Sequence, residues 1–160
     1  MPMHMHTMID PKGKERYIVI SSQEFMEAFF AKNSVNKDTI LISITCPMDQ
    51  PCNVKPTEHL HIFRMEFNDL DNPTDKFFAP DEQDFIGLSK FINTHKDIQN
   101  IFVHCGAGMS RSPAVAWSMA DYLHLKTPFG DNFDTIAKTV YTPNMLVKRL
   151  CDNELNRKEG

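Results

Sequence analysis

Of the 160 residues, no run is long and apolar enough to cross a membrane, and no secretory signal is apparent. The four cysteines include no C-x2-C pair, which argues against both a zinc site and a disulfide framework and fits a reducing cytosol. Positive charge is also in short supply. Against 21 Asp and Glu stand 17 Lys and Arg, and the formal net charge of −4 disfavours a general nucleic-acid surface. What is present is ordinary for a globular chain: 41% hydrophobic residues with scattered charge, in a length sufficient to bury a sizeable core. The expected organisation is a flexible tail over residues 1–14 and a single, monomeric, cytoplasmic domain over 15–160, with no membrane or nucleic-acid partner.

The chemistry concentrates in His104-Cys105-Gly106-Ala107-Gly108-Met109-Ser110-Arg111-Ser112. Before it, Ile101-Phe102-Val103 reads as a buried strand. After it, Pro113 and the small apolar residues through Trp117 read as the first turns of a helix. A loop between strand and helix can curl around an anion, its backbone N–H groups pointing inward and the helix N-terminus adding partial positive charge. Gly106 and Gly108 permit the tight path that such a cradle needs. A Cys and an Arg with five residues between them can then form one site for a phosphate dianion. The planar fork of Arg111 grips two oxygens, and the electropositive surroundings favour a nucleophilic thiolate at Cys105.

The motif resembles the HC-x5-R-S/T loop of the protein tyrosine phosphatase superfamily, and the short chain looks most like its compact dual-specificity branch, similar to small bacterial and viral members. The resemblance implies that Cys105 is the nucleophile, Arg111 the phosphate clamp and Ser112 the hydroxyl that eases departure of the thiolate from a phospho-cysteine intermediate. It implies that His104 supports the loop and that the amides from Gly106 to Arg111, through Ala107, Gly108, Met109 and Ser110, complete the phosphate site. Neither a metal nor a cofactor is implied. Low-molecular-weight tyrosine phosphatases carry the same spacing close to the N-terminus, whereas here the loop lies about two-thirds along. Rhodanese-like domains place it late but generally lack an upstream acid.

Such an enzyme needs a general acid, because the leaving oxygen of a tyrosine has a parent pKa near 10. The resemblance puts an Asp just beyond a strand, some thirty-odd residues before the Cys. Leu60 through Phe67 alternates as a strand, and Asn68-Asp69-Leu70-Asp71-Asn72-Pro73 follows as a loop. Asp69 is the first candidate, Asp71 the second and Asp75 the third. An Asx turn closing the strand is the plain structural alternative.

Elsewhere, Tyr17 to Ile20 reads as the first strand, and Ser21 with Glu24 as a capping box opening a helix through Phe30. Thr39 to Thr45 is the strongest strand signal. Asp81 to Asp84 reads as the acidic first turn of a helix carrying Phe85, Leu88, Phe91 and Ile92 on one face. A further helix is expected near Asp131, and Asn144 as the cap of a last helix through Leu155. Strands alternating with helices indicate an α/β domain, and the resemblance specifies a short central mixed or parallel sheet flanked by helices. The Met- and His-rich start reads as tail rather than soft-metal site, and His59 and His61 as structural. Cys46, at a strand end, reads as a packed thiol, with a reversible disulfide to Cys105 as the alternative.

The variable loop positions, Gly106, Ala107, Met109 and Ser110, include no Lys or Arg. Lipid-phosphate members of the superfamily often carry basic residues there, so a phosphorylated protein or peptide is the expected partner, phosphotyrosine preferred with dual specificity open. A catalytically weak phosphoprotein-binding module and a phosphatase for a non-protein monoester are the alternatives.

Overall fold

A computed structural model describes residues 3–74 and 78–157. It is an α/β fold in which one five-stranded mixed sheet, ordered β1-β2-β5-β3-β4, is flanked by helices on both faces. The strands are β1 (His4–Ile9), β2 (Glu15–Ser22), β3 (Thr39–Thr45), β4 (Leu60–Glu66) and β5 (Asn100–Cys105). The helices are α1 (Gln23–Lys32), α2 (Leu88–Thr94), α3 (Arg111–Tyr122), α4 (Phe133–Val140) and α5 (Met145–Leu155). All strand pairs are parallel except β1 with β2.

The apolar pattern explains the layers. β3 lies between β5 and β4, and every one of its seven residues is buried, which is why Ile40, Leu41 and Ile42 are apolar in succession instead of alternating with polar residues. Alternate residues divide between two cores. Ile18, Ile20, Ile40, Ile42, Ile101, Val103 and Cys105 face the side covered by α3, α4 and α5, and Val19, Leu41 and Phe102 pack with Met26 of α1 on the other. Helix α3 runs through the larger core, with every residue from Arg111 to Ala120 buried.

The expected N-terminal tail is corrected: His4–Ile9 is an edge strand, in register with β2 from His4 opposite Ile20 to Ile9 opposite Glu15. Its hold is tertiary. The Asp10 carboxylate closes the connecting turn by accepting from the amides of Lys12 and Lys14, both at 2.9 Å, and pairs with buried Arg16 at 3.2 Å. Met8 is fully buried, and His6 Nε2 lies 2.6 Å from the Tyr141 hydroxyl.

Two helix starts also differ from expectation. Ser22 rather than Ser21 caps α1, its Oγ accepting from the Phe25 amide, while the Ser21 hydroxyl donates to the Ser22 carbonyl. The helix expected from Asp81 is divided. A 3-10 turn at Glu82–Phe85, with an Asp81–Asp84 capping box, precedes α2, and Gly87 breaks the path with φ +91°.

Candidate active site

Strand β5 ends at Cys105, and α3 begins at Arg111, so residues 106–110 form a loop at the C-terminal edge of the sheet. Cys105 is 2% exposed. Its Sγ accepts from the Gly108 amide at 3.2 Å and lies 3.2 Å from Ser112 Oγ. The loop amides of Ala107, Met109 and Ser110 donate to no group among the described residues. Neither does the α3 N-terminus receive a side-chain cap, since Ser110 in the cap position turns its hydroxyl elsewhere. The result is a cluster of unpaired donors at a helix N-terminus, an arrangement suited to a phosphate or similar anion.

The glycines have specific reasons. Gly108 has φ +74°, and a Cβ there would lie 2.5 Å from the Ser21 carbonyl carbon and 2.7 Å from the Ser22 amide nitrogen. A Cβ on Gly106 would approach the Arg111 guanidinium within 3.2 Å. The loop is thus pressed against the end of β2 on one side and against its own arginine on the other.

Arg111 is 6% exposed, and its Nη1 donates to the Phe67 carbonyl at 2.9 Å and to Cys46 Sγ at 3.3 Å. Its Nε is buried with no partner among the described residues. A buried guanidinium N–H left unpaired is costly, and an anion in the loop would satisfy it. Cys46 is a free thiol against this arginine, and all four cysteines are free.

His104 is fully buried on the opposite face of β5, where Ser43 lies beside it in the ladder and within 2.6 Å of Nε2. Its Nδ1 meets the Cys105 carbonyl at 3.3 Å. A carbonyl only accepts, so Nδ1 carries the proton and Nε2 accepts from the Ser43 hydroxyl. Burial pushes the imidazole from its ordinary 6.5 down to about 4, which keeps it neutral.

Of the two acid candidates among the described residues, Asp69 is the one joined to the loop. Its Oδ1 accepts from Ser110 Oγ at 2.8 Å and from Asn144 Nδ2 at 2.9 Å. Asp71 is exposed and makes no such contact, and Asp75 lies outside the described residues. The loop after β4 carries Asp69 there because β4 is an edge strand whose C-terminal end opens beside β3 and the loop between β5 and α3, with the Phe67 amide continuing the ladder to Thr45 O at 3.0 Å. Sequence reasoning missed three contributors. Ser43 holds His104, the Phe67 carbonyl anchors Arg111, and Asn144 reaches Asp69. Of these, Asn144 alone had a sequence signal, as the cap of α5, and that signal spoke only of the helix; Cys46, singled out at its strand end, is a free thiol that touches Arg111.

No protein-family model matches the chain, and no curated protein matches it by sequence. Solved structures do. A human tyrosine phosphatase-like serine/threonine/tyrosine-interacting protein is 15% identical, superposes with a TM-score of 0.51, and the match covers 92% of this chain and 94% of that one. A putative protein tyrosine phosphatase from Leishmania major is 14% identical with a TM-score of 0.54, over 99% of this chain and 100% of that one. At such identities the shared property is the fold, which is that of the protein tyrosine phosphatases.

Proposed function

We propose that the protein is a cysteine-dependent phosphomonoesterase acting on phosphorylated proteins or peptides, phosphotyrosine foremost. The observation that carries the reading is the Ser110–Asp69 hydrogen bond, which joins a carboxylate to the loop bearing Cys105 and Arg111.

In the first step Cys105 Sγ attacks phosphorus, an S–P bond forms and the P–O bond to the leaving group breaks, while Asp69 delivers a proton to the departing oxygen. In the second, Asp69 takes a proton from water, the water oxygen bonds to phosphorus and the S–P bond breaks, releasing inorganic phosphate. Ser112 Oγ, 3.2 Å from Sγ, stabilises the departing thiolate with a hydrogen bond. Arg111 and the loop amides of Gly106 to Arg111 neutralise the equatorial oxygens throughout. Neutral His104, locked by Ser43, orients the carbonyl that precedes the loop and adds no charge to it.

Hydrolysis of a phosphotyrosine peptide in EDTA tests this reading. Turnover abolished in Cys105→Ser and reduced about 10²–10⁴-fold in Asp69→Ala is expected. An active Cys105→Ser protein overturns the mechanism, unaffected Asp69→Ala moves the acid to Asp71 or Asp75, and peptide binding without wild-type turnover makes the protein a phosphate-reading module.

A further inference from the structure

We propose that Asn144 is the positioning residue for the acid, holding the Asp69 carboxylate at the phosphate loop. The inference rests on Asp69 being that acid and adds the group that places it.

Asn144 is only 5% exposed, although it stands at the start of the last helix. Its two side-chain ends do different work. Oδ1 accepts from the Val147 amide at 3.1 Å and caps α5. Nδ2 donates to Asp69 Oδ1 at 2.9 Å and to the Leu70 carbonyl at 3.1 Å. The Val147 N–H can meet only an oxygen, so the cap itself determines which way the amide points. A cap requires an acceptor alone, and Ser or Asp serves as well as Asn. The donor end is therefore beyond what the helix needs, and both of its contacts go to the acid loop.

The backbone closes the frame. The Asn144 amide donates to Ser110 O at 3.1 Å, and the neighbouring Thr142 amide donates to Met109 O at 3.0 Å. One residue thus ties the start of α5 to the phosphate loop through its main chain and to the acid loop through its side chain. Asp69 and the Ser110 hydroxyl are more exposed, and an exposed pair alone defines a carboxylate weakly. The buried amide supplies the rigid reference. Ser110 and Asn144 both engage Oδ1, which leaves Oδ2 without an intramolecular partner among the described residues and available for the transferred proton.

The test replaces Asn144 by Ser, and separately by Asp, each keeping a cap acceptor while losing the amide donor. Turnover is measured on a phosphotyrosine peptide and on 2,4-dinitrophenyl phosphate, whose leaving group departs without protonation. Expected is a fall in kcat/KM, which reports only the steps through phosphorylation of the thiol, of roughly 10- to 100-fold on the peptide, with little change in kcat/KM on the dinitrophenyl ester. In the Asp69→Ala background the same substitutions should add no further loss. Equal losses on both substrates, or a loss undiminished in the Asp69→Ala background, overturn the proposal and leave Asn144 a helix cap. If Asp69→Ala itself lowers kcat/KM equally on both substrates, the assignment of the acid fails, and the positioning role falls with it. That result is read from the Asp69 single variant and is separate from the Asn144 outcome.

Discussion

Gly108→Ala and Gly13→Ala form a matched pair that isolates the close approach of the phosphate loop to β2. Both glycines have positive φ, +74° and +82°, so both substitutions strain the backbone by about 1–2 kcal/mol. Both remove the same backbone freedom from the unfolded chain, so that contribution cancels between them. Only the surroundings differ. An added Cβ at Gly13 meets nothing within 4 Å, whereas at Gly108 it falls 2.5 Å from the Ser21 carbonyl carbon and 2.8 Å from its oxygen. These are backbone atoms of a buried strand end, and no flexible side chain can yield. Overpacking of this kind adds about 1–3 kcal/mol. At about 2–4 °C of melting midpoint per kcal/mol for a chain of this size, Gly108→Ala should melt roughly 2–12 °C below Gly13→Ala. The alternative to that strain is for the loop to move, which displaces the amide on Cys105 Sγ, and a 1 Å displacement costs about 100-fold in rate. Thermal melts and peptide turnover for both variants provide the readout. Equal midpoints with wild-type turnover in Gly108→Ala would refute the reasoning.

Removing the Ser43 hydroxyl with Ser43→Ala leaves His104 Nε2 buried without a partner and should destabilise the fold by about 1–3 kcal/mol in urea titration; no loss would show that the 2.6 Å contact contributes nothing. Because the folded pKa of His104 is depressed, the unfolded chain binds its proton first as pH falls. Its stabilisation is complete above pH 6.5 and is lost progressively toward pH 4, amounting to about 3 kcal/mol. Stability measured from pH 7 to 4 should therefore fall less steeply in His104→Gln, with the remaining slope carried in part by His6, which burial also holds near 4. Cys46→Ala takes away one of the two acceptors of Arg111 Nη1, and phosphate or vanadate inhibition should change by no more than about tenfold, because the Phe67 carbonyl still holds the guanidinium. A complete loss of anion binding would mean that Cys46 is the principal anchor.

The loop between β5 and α3 was legible because it is local. Cys105, Gly108, Arg111 and Ser112 lie within eight consecutive residues, and the requirement that a strand hand over to a helix around an anion acts on neighbours in the chain. The same holds for β3, where Ile40, Leu41 and Ile42 in succession follow from burial on both faces, and for the Asn144 cap, which is answered by Val147 three residues on. The choice among the candidate acids was not legible in this way. Asp69, Asp71 and Asp75 fall within seven consecutive residues of similar composition. Asp69 is distinguished by Ser110, 41 residues away, and Asn144, 75 residues away. The edge strand β1 was hidden for a related reason. Met and His at residues 3–8 have no strong strand preference, and the segment is ordered by β2, by the Asp10 turn and by Tyr141, which lies 135 residues from His6. Backbone geometry and anion chemistry between near neighbours are written in the order of residues. Which of several equivalent side chains receives a partner depends on where distant segments meet, and that only the packed fold determines.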